Sequence, residues 1–344
     1  MRIEAIDLFC GVGGLSYGLG QSKINVLAGV DIDPISRYPY EANNKAVFIH
    51  KSVTDLSASD VNNLYSGDCI KLLAGCAPCQ PFSTYSQGPR GKNDDQWRLL
   101  LEFSRLIKSV KPELVTMENV PRLLTHEVFT KFSEMLQRRG YWVTSKAVQC
   151  DQYGLPQTRK RLILVASKLG PIDLIKPTLK IKSVRDVIAS QPRLRTGEID
   201  DTDPFHRASS LNVLNLKRIK ASRPGGSWRD WPKELVADCH RRHGGKTYVS
   251  VYGRMEWDKP SPTITTQYHG YGNGRFGHPD QDRAISLREG ALLQGFPRRY
   301  KFVEPGTDVC FSHIGRLIGN AVPPLIGKII GKTFLEHLKS NGIN

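Results

Sequence analysis

The chain has 344 residues, enough for about two domains whose cores need neither disulfides nor metal. Lys and Arg total 49 against 33 Asp and Glu, for a net charge of +16, and only 39% of residues are apolar; no uninterrupted apolar run nears the ~20 residues of a membrane-spanning helix, which excludes an integral helical membrane protein. Seven scattered cysteines, an odd number, and acids within residues 1–7 where a signal peptide would be apolar point to reduced thiols in a cytoplasmic setting.

In chain order, residues 3–9 read as a strand with a glycine-rich exit, and 15–19 begin a helix. A second strand, 26–30, ends in Asp31-Ile32-Asp33-Pro34. A third, 70–74, runs into Gly75-Cys76-Ala77-Pro78-Cys79. Residues 99–110 have helical spacing, 114–117 form a strand ending at Glu118-Asn119-Val120, 129–139 another helix and 162–166 another strand. Strands separated by helices indicate βαβ units and a mainly parallel sheet, in which ligands bind at the carboxyl ends of the strands. From about 170 to 280, Pro, Gly and charge interrupt every run, so a smaller, irregular domain is expected there. Order returns at Ser286, with Glu289 three residues on as a capping box, and in a last helix from about 324 to 338.

The charge is uneven. Residues 1–170 carry 21 basic and 16 acidic side chains, residues 171–344 carry 28 and 17, and the stretch 207–246 holds ten Lys/Arg against three acids, interleaved with Trp228, Trp231 and His240. A polyanion-binding face and a merely solvated basic face both fit this distribution.

Four segments carry chemistry, each with a plainer alternative. Asp7-Leu8-Phe9-Cys10-Gly11-Val12-Gly13-Gly14-Leu15 is a strand, a glycine turn and a helix start. Its glycines allow a ligand close to the backbone, and Asp31 at the end of the next strand could accept from ribose hydroxyls; an ordinary tight turn would look the same. Cys76-Ala77-Pro78-Cys79-Gln80 has no second ligand pair to make a zinc site, and it reads as a nucleophile at Cys79, a redox pair or structural thiols. Glu118 is either a surface carboxylate or a buried acid, whose pKa burial would raise. Arg159 and Arg161 alternate before an apolar strand, as on an exposed edge or as joint anchors of one ligand.

In this order the segments resemble the DNA (cytosine-5) methyltransferase family of bacterial restriction-modification systems, over nearly the whole chain outside roughly 175–260. Residues 7–15 look like its first motif, Pro78-Cys79-Gln80 its catalytic loop, Glu118-Asn119-Val120 its acidic motif and Gln157-x-Arg159-x-Arg161 its arginine motif. Arg288-Glu289 through Gln294-Gly295-Phe296-Pro297 look like its ninth, and Gly319-Asn320-Ala321-Val322 its tenth. The resemblance implies an α/β fold: a Rossmann-like methyltransferase sheet with a smaller irregular target-recognition domain. The expected division is 1–174 catalytic and cofactor-binding, 175–275 target-recognition, and 276–344 returning to the catalytic domain.

It further implies S-adenosylmethionine as cofactor. Phe9, Gly11, Gly13 and Gly14 would line its pocket, with Asp31 on the ribose and Ile32 on the adenine, and with Ser52, Val53, Pro78, Leu99, Asn320, Ala321 and Val322 completing it. Ser52-Val53 stands where the family often has an adenine-contacting Asp. Cys79 would add to C6 of a flipped-out cytosine, Glu118 would serve N3 and the exocyclic amine, and Arg161 would hold O2, with Arg159 assisting or supporting the loop. Residues 83–95 are expected to close over DNA. The implied partner is double-stranded DNA, without membrane or metal, bound by a monomeric, cytoplasmic, nucleoid-associated enzyme. A tRNA cytosine-5 methyltransferase and a catalytically inactive DNA-binding relative are the alternatives. Which Lys and Arg in 175–275 read bases is not legible.

Overall fold

The computed structural model describes residues 2–78 and 97–343. Cys79 and the expected loop at 83–95 therefore lie outside the described residues. Packing divides the chain into two compact units: one of residues 1–149, 160–177 and 321–344, the other of 150–159 and 178–320.

The first unit is built on a seven-stranded sheet: β1 (Ile3–Leu8), β2 (Asn25–Asp31), β3 (Val47–His50), β4 (Ile70–Gly75), β5 (Leu114–Asn119), β6 (Trp142–Gln149) and β7 (Lys160–Ser167). Their order across the sheet is β3-β2-β1-β4-β5-β7-β6. The first four pairings are parallel, whereas β7 runs antiparallel to both β5 and β6. The sequence order reverses between β1 and β4, the switch point at which α/β sheets open a crevice. Because β7 is reversed, its amino end lies at the rim formed by the carboxyl ends of the other strands, with Asn119 opposite Leu162.

Helices α1 (Gly14–Gln21), α2 (Arg37–Asn43), α3 (Ala58–Asn62), α4 (Arg98–Val110) and α5 (Glu127–Arg138) follow the strands. In α4 the apolar residues Leu100, Phe103, Leu106, Ile107 and Val110 recur at helical spacing, and all are buried. They share one core with Phe129, Phe132 and Leu136 of α5 and with alternate residues of the strands, among them Ile6, Leu8, Leu73, Val115, Met117, Leu162 and Leu164. Full burial of each such side chain contributes roughly 1.5–3 kcal/mol. The helix stops where Lys111 turns left-handed (φ 55°) just before Pro112.

The second unit has short helices, α6 (Arg185–Ile188), α7 (Val213–Lys220), α8 (Asp238–Arg241), α9 (Leu287–Leu293) and α10 (Phe311–Asn320), and only isolated bridges in place of strands. With so little regular ladder its buried carbonyls need other donors, and arginines supply them. The guanidinium of Arg254 donates to the carbonyls of Ile219, Ser222, His278 and Gln281 and pairs with Asp282. The fully buried Arg283 grips Glu289 at 2.7 and 2.8 Å, and Glu289 closes the expected capping box with Ser286. An aromatic core of Trp228, Trp231 and Tyr271 packs with Ile219.

The last helix, α11 (Pro324–Ser340), belongs to the first unit. It lies on α1 so closely that a Cβ on Gly18 would sit 2.1 Å from the Pro324 carbonyl oxygen, and one on Gly327 would sit 2.4 Å from that of Leu15. His337 on the same helix meets Ser167 Oγ at 2.7 Å, which ties it to the end of β7. No helix among the described residues is long and apolar enough to cross a membrane.

Candidate active site

The chemistry-bearing residues of the first unit gather along the rim where β1, β2, β4 and β5 end. After β1 the chain turns sharply: Phe9 (φ 59°), Gly11 (φ 49°) and Gly13 (φ 84°) are all left-handed, and α1 starts at Gly14. The two turn glycines do different work. A Cβ on Gly13 would lie 2.4 Å from Asn44 Nδ2 and 2.8 Å from the Tyr40 ring, so protein fills the space beside it. A Cβ on Gly11 would meet nothing within 4 Å. Of the two, Gly11 is the one with open space beside it.

Asp31 at the end of β2 accepts from the Gly11 amide on Oδ2 (2.8 Å) and from the Asp33 amide on Oδ1 (2.9 Å), so it fixes the turn while each oxygen keeps a free lone pair. Ile32 beside it is 68% exposed. An open glycine turn, an acceptor pair and an unpartnered apolar surface fit a ligand with a hydroxylated ring and a flat apolar group. Beneath the turn, Asp7 is fully buried; Ser16 Oγ donates to its Oδ2 at 2.7 Å, and burial pushes its carboxyl up to about 7.

The remaining expected cofactor residues divide. Ser52 caps a short turn, accepting from the Thr54 amide at 3.3 Å, and Val53 is buried in the core, so neither side chain is free. Pro78 is exposed and Leu99 half-buried. Ala321 and Val322 belong to the first unit, whereas Asn320 ends α10 in the second.

At the end of β5, Glu118 is 3% exposed. Arg161 Nε lies 2.9 Å from Glu118 Oε1, brought there by the reversed direction of β7. Oε1 nevertheless has no well-directed hydrogen bond among the described residues, while Cys76 Sγ donates to Oε2 at 2.9 Å. Asn119 Nδ2 donates to the Ala77 carbonyl at 3.0 Å and so holds the backbone leading to Cys79. The contacts of Cys76 and Asn119 have no local signal in the sequence beyond the C-x-x-C spacing and the Glu-Asn pair.

Arg159 immediately precedes β7 and falls in the second unit. It is buried, and its guanidinium reaches the carbonyls of Ile264 (3.2 Å) and Gly319 (3.4 Å), an arrangement that supports loops. Among the described residues no three His, Cys, Asp or Glu side chains gather as around a metal ion.

A buried carboxylate with an unsatisfied oxygen, an arginine and a cysteine-bearing loop beside an open glycine turn can hold a polar heterocycle and move protons on it. The family model of C-5 cytosine-specific DNA methylases matches residues 3–336. The chain is 51% identical over 342 residues to the type II methylase M.HgiDII of Herpetosiphon aurantiacus, covering 97% of this chain and 96% of that protein. It is 30% identical to the type II methyltransferase M1.HphI of Haemophilus parahaemolyticus, covering 98% and 87%. Among solved structures it is similar to a prophage-encoded protein of E. coli described as a DNA modification methyltransferase (TM-score 0.75, 20% identity, 98% and 100% covered). It is also similar to the Dnmt2 methyltransferase of S. pombe (TM-score 0.62, 18% identity, 98% and 99% covered). These last two matches speak for the fold.

Proposed function

We propose a function for this chain from the premise that it belongs to the C-5 cytosine-specific DNA methylase family: it methylates C5 of a cytosine within a short, specific duplex sequence, as the modification enzyme of a restriction-modification system. The observation that carries the reading is the buried Glu118, with Arg161 Nε 2.9 Å from an oxygen that has no hydrogen bond among the described residues. Paired with Arg161 yet without a well-directed donor, this oxygen keeps acceptor capacity that an N–H group of a heterocycle could use.

Bound S-adenosylmethionine supplies an electrophilic methyl group. The residues that would hold it are Gly11, by close backbone approach, Asp31, by its two free lone pairs, and Ile32, by apolar contact. The protein's own task is to make C5 nucleophilic. Addition of the Cys79 thiolate to C6 turns the ring into an enamine with electron density at C5. Glu118 would hold the proton at N3 and accept from the exocyclic amine, and Arg161 would both fix the Glu118 carboxylate and stand near O2. Once C5 carries the methyl group, transfer of the C5 proton to a base such as water or hydroxide expels the sulfur as thiolate and restores the aromatic ring. None of these groups could reach a stacked base, so the cytosine must leave the duplex. In this reading residues 175–275 recognise the target and the rest of the chain performs catalysis, in a monomer.

The experiment is transfer of tritiated methyl groups from S-adenosylmethionine to duplex DNA and to tRNA, followed by bisulfite sequencing of the product DNA. Label at C5 of cytosine in one recurrent duplex sequence is expected. Label in tRNA alone, or none in either, would overturn the reading.

A further inference from the structure

In 175–275 the arginines are not equivalent. Arg185, Arg193 and Arg223 are committed to Asp258, Asp280 and Asp230. Arg218, Arg229 and Arg254 donate to backbone carbonyls within the unit. Such guanidinium groups are already used. Arg242 is exposed, and no described group hydrogen-bonds or pairs with its guanidinium, while its carbonyl accepts from the Gly245 amide at 3.1 Å.

The segment that carries Arg242 is unusually well anchored. Trp228 and His240 are buried and stack with their ring centroids 4.4 Å apart and planes 5° from parallel. From that platform Trp228 Nε1 donates to the Tyr248 carbonyl (2.6 Å), and Arg229 donates to the Lys246 carbonyl (2.8 Å). A Cβ on Gly245 would lie 1.7 Å from the Cys239 carbonyl oxygen, so residues 239–245 also turn tightly on themselves. The backbone of 242–248 is thus held from below, while its side chains face outward. Arg242, His243 and Lys246 are exposed and Tyr248 is 53% exposed, with no acid between residues 239 and 248.

A solvated basic loop needs no aromatic platform, because water satisfies it in any conformation. Fixing the backbone while leaving a planar two-pronged donor free lowers the ordering cost of a bidentate contact. The acceptor pair that matches an arginine fork in duplex DNA is O6 and N7 of guanine in the major groove. We infer that Arg242 reads a guanine of the recognition sequence from this anchored loop, with Lys246 contacting backbone phosphate. The inference rests on the DNA-methylating function proposed above.

The test compares kcat/KM for methyl transfer by the full-length enzyme on the recognition duplex and on its single-base variants. The proteins are wild type, Arg242→Ala, Arg242→Lys, Lys246→Ala and Arg195→Ala. Arg195 is also exposed, and its guanidinium has no described partner, but it lies beside Glu198, whose carboxylate accepts from the Arg195 amide, and it serves as the control. Arg242→Ala and Arg242→Lys are both expected to lose roughly ten- to a hundredfold on the recognition duplex and to stop discriminating at one guanine position, with discrimination elsewhere intact. Lys246→Ala should weaken all sequences alike and lower the slope of log affinity against log salt by about one. Arg195→Ala should match wild type. S-adenosylmethionine binding, followed by calorimetry, should be equal in all five and certifies folding. A uniform loss in Arg242→Ala, no loss, or full discrimination by Arg242→Lys would overturn the inference. A wild-type enzyme that methylates no duplex would instead overturn the functional reading on which it stands.

Discussion

The Cys76 thiol donates to Glu118 Oε2 across 2.9 Å, joining the ends of β4 and β5 through residues forty-two positions apart. Burial, with Glu118 beside it, pushes this thiol well above its ordinary range, so at neutral pH Cys76 stays protonated and is a donor, not a nucleophile. That separates the two cysteines of the C-x-x-C. Cys79→Ala should form no covalent adduct with a 5-fluorocytosine duplex, and Cys76→Ala should still form one. Removing the donor should lower kcat by about two- to tenfold, the value of one hydrogen bond, with Cys76→Ser closer to wild type. An adduct that persists in Cys79→Ala, read by gel shift, would refute the assignment.

Glu118 and Arg161 form the other close contact at that carboxylate. Glu118→Gln keeps the shape but loses the transferable proton, and a fall in kcat of roughly 10²–10⁴-fold is expected. Arg161→Lys retains the charge without the guanidinium geometry and should recover only part of the loss in Arg161→Ala. S-adenosylmethionine affinity, measured by calorimetry, should stay within a few-fold of wild type in all three, because the proposed function assigns these residues to the base and not to the cofactor. A parallel fall in cofactor affinity would assign them to the wrong ligand.

The turn glycines offer a paired test. Both are left-handed, so alanine at either costs about 1 kcal/mol in backbone strain. At Gly13 the added methyl also strikes Asn44 and Tyr40, whereas at Gly11 it points into open space. Gly13→Ala should therefore lower the melting temperature by several degrees more than Gly11→Ala. Gly11→Ala should instead lose cofactor affinity out of proportion to its stability. Equal melting temperatures with equal cofactor binding would show that the open space beside Gly11 is not a ligand cradle.

Protons should act oppositely on buried groups in the two units. Burial raises Asp7 from 3.8 to about 7, so the folded state binds that proton more tightly, and stability rises as pH falls from about 7 towards 4. Burial lowers His278 from 6.5 to about 4; the unfolded chain binds that proton more tightly, and stability falls as pH drops through this interval. Glu289 is desolvated, yet the Arg283 hydrogen bonds hold its carboxyl down at about 2, so its contribution is present above 4.5 and lost as pH falls towards 2. Asp7→Asn should stabilise the protein at pH 8, by on the order of 2–4 kcal/mol, and not at pH 4. His278→Asn should flatten the dependence between pH 6.5 and 4. Urea midpoints across this range check both, and an unchanged slope in either variant would refute that assignment.

Much of the first unit is legible in the residues because its elements carry strong local signals. Alternating or continuous apolar runs mark β1, β2, β4, β5 and β7, and helical spacing marks α4; in the second unit Ser286 with Glu289 marks the start of α9. Strands β3 and β6 carry weak signals: β3 has four residues, and β6 exposes much of its length at the sheet edge. Tertiary structure alone decided the rest. The reversed strand β7 put Arg161 on Glu118, and the paths of neighbouring chain segments left Gly11 open while filling the space beside Gly13. It also spent most arginines of the second unit on carbonyls and carboxylates while leaving Arg242 free. Residue type and spacing determine which groups can serve as acid, cation or turn. Which of them keeps an unsatisfied atom depends on neighbours remote in the chain, and local sequence carries no record of those distances.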